Sequence, residues 1–205
     1  MRDDLEPPRV PQQARSRAKR DRLLAAALTL FSERGYEATT VDAIAEGANV
    51  SVGIFYSYFR SKRQLLLTLA NEHLEQVWLD LSTLQTGPLT VARIEQTLLA
   101  LLRQARTHAG LRRAQRELML TDPDAGAYEQ LRSAEVCAAL ADGIEQRRRA
   151  GELRADLESA ATALTILALF THLRDTFADR PDPELAPVAA AAARMIYHTL
   201  VPDPR

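Results

Sequence analysis

The stretch Thr40-Val41-Asp42-Ala43-Ile44-Ala45-Glu46-Gly47-Ala48-Asn49-Val50-Ser51-Val52-Gly53-Ile54-Phe55-Tyr56-Ser57-Tyr58-Phe59 decides how the chain folds. Val41, Ile44, Ala45 and Ala48 stand at i, i+3, i+4 and i+7, one apolar stripe along a short helix. Thr39 and Thr40 precede it as candidate N-caps, and Asp42 falls in its first turn, where a negative charge suits the helix dipole. Asn49 tolerates the left-handed conformation that a tight corner needs. Ser51 then caps a second short helix over residues 52–59. Two short helices joined by a turn of about three residues have the spacing of a helix-turn-helix.

The chemistry on the second helix sharpens that reading. Ser51 brings a hydroxyl and the unpaired N–H groups of a helix start, which suit an anion. Gly53 lets the helix approach a backbone closely. Tyr56 and Tyr58 carry hydroxyl donors, and Lys62 adds a positive charge just beyond. Ile54, Phe55 and Phe59 are apolar and hold the corner in place.

Working outward, the rest of the chain reads as helix. Residues 1–13 contain Pro7, Pro8 and Pro11 without periodicity and read as a disordered arm. A helix is expected over 16–34, with Leu24, Ala27, Leu28 and Phe31 on one face and Gly35 as its stop. Another begins at Ser61, where Ser61 and Gln64 form a capping box, and runs to about residue 83. Further helices are expected over 90–107, 111–120, 124–150, 157–177 and 184–200. The expected breaks are Gly110, Asp122-Pro123, Gly151 and the segment 180–183. Pro187 belongs in the first turn of the last helix or moves its start later.

Composition bounds the alternatives. The chain has 205 residues, enough to bury a core, and is 46% hydrophobic and 26% charged, an ordinary globular balance. Aromatics are only 5%, and alternating strand-like patterns are scarce. The expected fold is all-α: an N-terminal three-helix helix-turn-helix domain (15–60) after an arm (1–14), then a C-terminal helical domain (61–205). The lone Cys137 gives no disulfide framework within the chain and no four-cysteine zinc site. The nearly apolar run 160–171 is too short to span a bilayer, which takes about 20 residues. No secretion signal is visible, so the expected compartment is the cytoplasm and no membrane partner is expected.

The net charge of −1 is unevenly spread: residues 15–63 carry nine Lys/Arg against five Asp/Glu, and residues 64–205 carry fifteen against nineteen. A basic front favours an anionic partner. Enzymatic function finds little support. His73, His108, His172 and His198 lack paired metal-ligand spacing, and no phosphate loop or nucleophile elbow appears. No cofactor is expected. A helical adaptor that binds only protein is the remaining rival, and salt-dependent duplex binding separates the two.

Two segments carry a family resemblance. Gly35-Tyr36-Glu37-Ala38-Thr39-Thr40-Val41-Asp42-Ala43-Ile44-Ala45 and Val50-Ser51-Val52-Gly53-Ile54-Phe55-Tyr56-Ser57-Tyr58-Phe59-Arg60-Ser61-Lys62 resemble, in register, the DNA-binding domain of TetR-family transcriptional regulators. The close resemblance covers about residues 16–66. Where the family commonly has Ala-Ala-Gly, this chain has Gly47-Ala48-Asn49, which also supplies a left-handed turn residue.

The resemblance implies a homodimer built through the last two helices, a ligand pocket in the rear domain and a pendulum-like fourth helix linking pocket to reader. It also implies repression relieved by a small-molecule effector. In this register Val52, Gly53 and Ser57 face the bases of a double-stranded DNA operator, and Thr40, Ser51, Tyr56, Tyr58 and Lys62 serve its backbone. Arg15, Arg17, Lys19 and Arg20 either form a solvated face or reach a minor groove. The expected ligand residues are His73, Val77, Trp78, Glu117, Phe170 and His172, with an apolar or amphipathic ligand.

Overall fold

The structure, a computed structural model, describes residues 14–82, 84, 86–177 and 180–202, with side chains at all of these but 75–80 and 82. Its described elements are α1 (Ala14–Arg34), α2 (Val41–Gly47), α3 (Val52–Tyr58), α4 (Lys62–Ser82), α5 (Val91–Thr107), α6 (Ala109–Thr121), α7 (Pro123–Arg149), α8 (Ser159–Phe177) and α9 (Asp182–Leu200). No strand occurs among the described residues. No described helix is long and apolar enough to cross a membrane.

The chain divides into two compact units, but not at residue 60. One unit holds the residues up to Glu75 together with His108–Glu129; the other holds Gln76–Thr107 and Gln130–Arg205. The sequence division at 60/61 followed chain order. It missed that α6 is fitted to α1, because nothing local to α6 announces that partner.

The first unit packs α1, α2, α3, the start of α4, and α6 around Leu23, Phe31, Ile44, Phe55, Phe59 and Leu66. The closest fit is between α1 and α6. The expected break at Gly110 falls two residues earlier, at His108, so that Gly110 lies in the first turn of α6. A Cβ there would stand 2.5 Å from the Ser32 Cα and 2.6 Å from its carbonyl oxygen. This glycine therefore serves close helix approach rather than termination. Arg113 Nη2 donates to the same Ser32 carbonyl at 2.8 Å. Glu117 accepts the Tyr36 N–H at 2.6 Å, just past the left-handed Gly35 that ends α1 (φ 81°).

A half-buried ion pair fastens α4 to the α6–α7 corner. The Arg63 guanidinium approaches Asp122 to 2.5 Å, with a hydrogen bond from Nη2 at 3.3 Å; the side chains are 10% and 22% exposed. Burial works against the Asp122 charge, but the Ala125 N–H and Arg63 outweigh it and hold the carboxyl below its usual value. A depressed carboxyl stabilises the fold above its unfolded pKa of 3.8, and that contribution is lost as pH falls through the lower folded value. Asp122→Asn leaves a buried guanidinium without its anion. It is expected to cost about 2 kcal/mol, between the exposed and the fully buried ion-pair cases, and to flatten the acid limb of a stability–pH curve. An unchanged denaturation midpoint at neutral pH would contradict this.

The second unit packs α5 against α8 and α9 around Ile94, Leu98, Leu102, Leu185, Ala189 and Ile196. Pro187 lies inside α9 beyond its first turn, because the helix begins at Asp182, earlier than the sequence expectation. The apolar stretch of α8 is not covered on every side within the chain. Leu164 on α8 is 60% exposed and Met195 on α9 is 64% exposed.

Candidate functional site

The corner between α2 and α3 forms as its capping chemistry dictates. Thr40 is the N-cap of α2, its hydroxyl accepting the Ala43 N–H at 3.2 Å, and Ser51 caps α3 through the Ile54 N–H at 3.3 Å. Between them Asn49 takes a left-handed φ of 51°. The Val50 N–H reaches back to the Ala45 carbonyl at 3.0 Å and the Asn49 N–H to that of Glu46 at 2.9 Å, closing the end of α2. Phe55 and Phe59 are fully buried and anchor α3. The buried Thr39 donates to the Gly35 carbonyl at 2.7 Å and fixes the approach to α2.

That anchoring leaves one face of α3 outward. Ser51, Gly53, Tyr56 and Ser57 are exposed, and Val52 is half-exposed. Tyr56 stands 56% exposed. Ser57 returns its hydroxyl hydrogen to the Gly53 carbonyl at 3.0 Å, leaving the oxygen's acceptor capacity outward. Thr40 is exposed at the adjoining start of α2. The face thus presents hydroxyls, a glycine and one valine, with no carboxylate from Val50 to Lys62. Such a face suits a polyanionic backbone and close approach.

Two residues on this side have tertiary partners that spacing alone could not reveal. The Tyr58 hydroxyl pairs with Ser16 at 2.7 Å, pinning α3 to the start of α1. The Lys62 ammonium donates to the carbonyls of Tyr36 and Thr39 at 2.9 and 3.0 Å, with a longer reach of 3.4 Å to Glu37. It also lies 4.3 Å from the centre of the Tyr36 ring. Its donors are occupied by the turn that leads into the Thr40 cap. Of the basic residues on α1, Arg20 pairs with Glu72 at 3.0 Å and lies over the Phe59 ring, which ties it to the fold. Arg15 and Arg17 are exposed.

The opening of α4 uses the residues of the expected capping box. The Gln64 N–H bonds the Ser61 hydroxyl at 3.1 Å, and the Gln64 side chain also accepts from the Arg60 N–H at 2.8 Å.

Of the expected ligand residues, His73 and Glu117 belong to the first unit and Phe170 and His172 to the second. His73 packs its ring 4.3 Å from that of His108 within the first unit, and burial followed by the charge of Arg112 lowers the His108 pKa. Glu117 is held on the Tyr36 N–H in the same unit. His172 is exposed on α8. The side chains of Val77 and Trp78 lie outside the described residues. Of the four whose side chains are described, Phe170 lines a cavity of the second unit, a space of about 120 Å³ between α5, α7, α8 and α9. Most of its wall, including Leu98, Leu140, Ile144 and Ile166, was absent from the sequence selection. Aliphatic residues at helical spacing read as core, and only tertiary packing shows where core leaves a void.

Comparison with known proteins fits this arrangement. Residues 23–69 match the family model described as bacterial regulatory proteins, tetR family. The HTH-type transcriptional repressor KstR2 of Mycolicibacterium smegmatis is 42% identical over 72 residues, 35% of this chain and 33% of its own. The HTH-type transcriptional repressor Rv1474c of Mycobacterium tuberculosis is 29% identical over 82% of this chain and 86% of its own. The alignments with the first three curated relatives span about a third or less of those proteins' lengths, 28%, 33% and 30%. Among solved structures, the triclosan complex of SmeT, repressor of a Stenotrophomonas maltophilia multidrug efflux pump, superposes with a TM-score of 0.72 at 20% identity, covering 91% of this chain and 93% of that one. At that identity the likeness establishes the fold.

Proposed function

From membership of the TetR family of bacterial transcriptional regulators, we propose that this protein is a homodimeric repressor that binds a palindromic operator and leaves it when a small molecule binds. The observation that carries this reading is the outward face of α3, anchored by Phe55 and Phe59 and flanked by the Thr40 and Ser51 caps. Val52, Gly53 and Ser57 meet base edges in the major groove, while Thr40, Ser51, Tyr56 and Tyr58 serve phosphates. The helix offers no Arg, Asn or Gln for a bidentate base contact, so specificity rests on apolar contacts, Ser57 and DNA shape.

Exposed Leu164 and Met195 support a dimer built on α8 and α9, since a second copy covers them by two-fold symmetry. The effector occupies the cavity beside Phe170. It acts by binding one dimer state more tightly than the other, with α4 as the helix whose residues belong to both units. Selection from random duplexes followed by footprinting tests the reading. We expect two protected half-sites related by a two-fold axis, with centres about 34 Å apart or a multiple of it. A single unsymmetrical half-site would contradict the dimer.

Lys62 divides two roles. As a phosphate contact, Lys62→Ala lowers the salt dependence of DNA binding by about one unit per reader. With its ammonium occupied by carbonyls, we expect the variant instead to lose about 1 kcal/mol of stability, and to weaken DNA binding with the slope unchanged. Melting curves and a salt titration of the same variant decide between the roles.

A further inference from the structure

The wall of the cavity in the second unit restricts what can enter it. Its lining is almost wholly aliphatic, Phe170 is the one aromatic ring, and Thr97 and Arg147 are the polar side chains among the described lining residues. Among the described lining residues there is no carboxylate or imidazole, so a cation entering would find no counter-charge on them. The guanidinium of Arg147 is largely committed. Nη2 donates to the carbonyls of Leu84 and Gly87 at 2.7 and 2.8 Å, and Nη1 pairs with the Glu152 carboxylate. Its positive charge is therefore already matched, which disfavours an incoming anion.

Size narrows the class further. The volume is about 120 Å³. An apolar cavity of about 150 Å³ takes benzene, whereas pockets for drug-sized ligands run to roughly 300–1,000 Å³.

We propose that this cavity receives a small neutral aliphatic molecule of roughly six carbons. The inference rests on the reading of the cavity as the effector site and names the chemistry of the effector.

Melting and calorimetry of the full chain with hexan-1-ol, hexan-2-one, hexanoate, hexylammonium and dodecan-1-ol test it. Hexan-1-ol and hexan-2-one raise the melting temperature in a concentration-dependent way. Hexanoate binds at least about tenfold more weakly, and hexylammonium and dodecan-1-ol give no shift. Leu140→Trp, which fills the cavity, abolishes the shift. Should that variant fail to fold, Phe170→Ala serves instead: the enlarged cavity moves the best-binding alcohol to a longer chain.

Equal binding of hexanoate or hexylammonium overturns the proposal. So does the absence of any shift from the neutral probes in a protein that still binds duplex DNA, an outcome that leaves the DNA-binding reading standing. If hexan-1-ol binds and duplex affinity does not change, the ligand class holds and the role of the cavity in DNA release falls.

Discussion

Gly110→Ala is expected to destabilise the protein by about 3 kcal/mol, although alanine is the better helix former. Residue 110 lies inside α6, where propensity alone favours alanine by up to about 1 kcal/mol. Packing reverses the sign. The added methyl meets the Ser32 Cα at 2.5 Å, its carbonyl oxygen at 2.6 Å and its Cβ at 2.7 Å, and most of that obstacle is backbone. To relieve it α6 must move off α1, which breaks the Arg113–Ser32 and Glu117–Tyr36 hydrogen bonds together. Gly126→Ala provides the control. Gly126 is also helical, and its nearest neighbour, the Met119 carbonyl oxygen, is 4.0 Å away. That variant should gain about 0.5–1 kcal/mol. Denaturant midpoints that move the same way for both variants would show that α1 and α6 are not closely fitted.

Gly53→Glu is expected to weaken DNA binding at least about 100-fold while leaving the fold intact, since like charges brought together at an interface cost several kcal/mol. A Cβ at Gly53 has only the Ser51 hydroxyl within 4 Å, at 3.9 Å, so the side chain is accommodated. An acid in the first turn of α3 also suits the helix dipole, so melting temperature should stay constant or rise slightly. Stability and DNA binding therefore move independently in this variant. Gel shifts on a selected duplex, beside a melting curve, read both. Wild-type affinity in the glutamate variant would remove α3 from the DNA interface.

These two glycines show where sequence reading succeeds and where it stops. The Thr40 and Ser51 caps, the Asn49 corner and the stripe of α2 were legible because each depends on residues within a few positions. The all-helical class followed for the same reason. Gly110 was read as a break because its reason is Ser32, 78 positions away and invisible to local periodicity. Lys62 and Glu117 were selected as charged groups suited to a ligand or phosphate; their backbone partners exist only after α1, α4 and α6 have packed. Arg63 and Asp122 likewise become a pair only in the fold. For the cavity, polar and bulky residues of the rear helices were the guides, whereas the described wall is almost wholly aliphatic; of the four selected residues whose side chains are described, Phe170 lines it.

The central claim is that the α2–α3 corner reads duplex DNA through its phosphates. The most direct measurement is the affinity of the full chain for a selected duplex, and for its single strands, across a salt series. Two readers with at least three phosphate contacts each predict a log–log slope of about −5 or steeper, with the duplex bound more tightly than either single strand at every salt concentration. A flat slope, or equal binding of duplex and single strand, would contradict it.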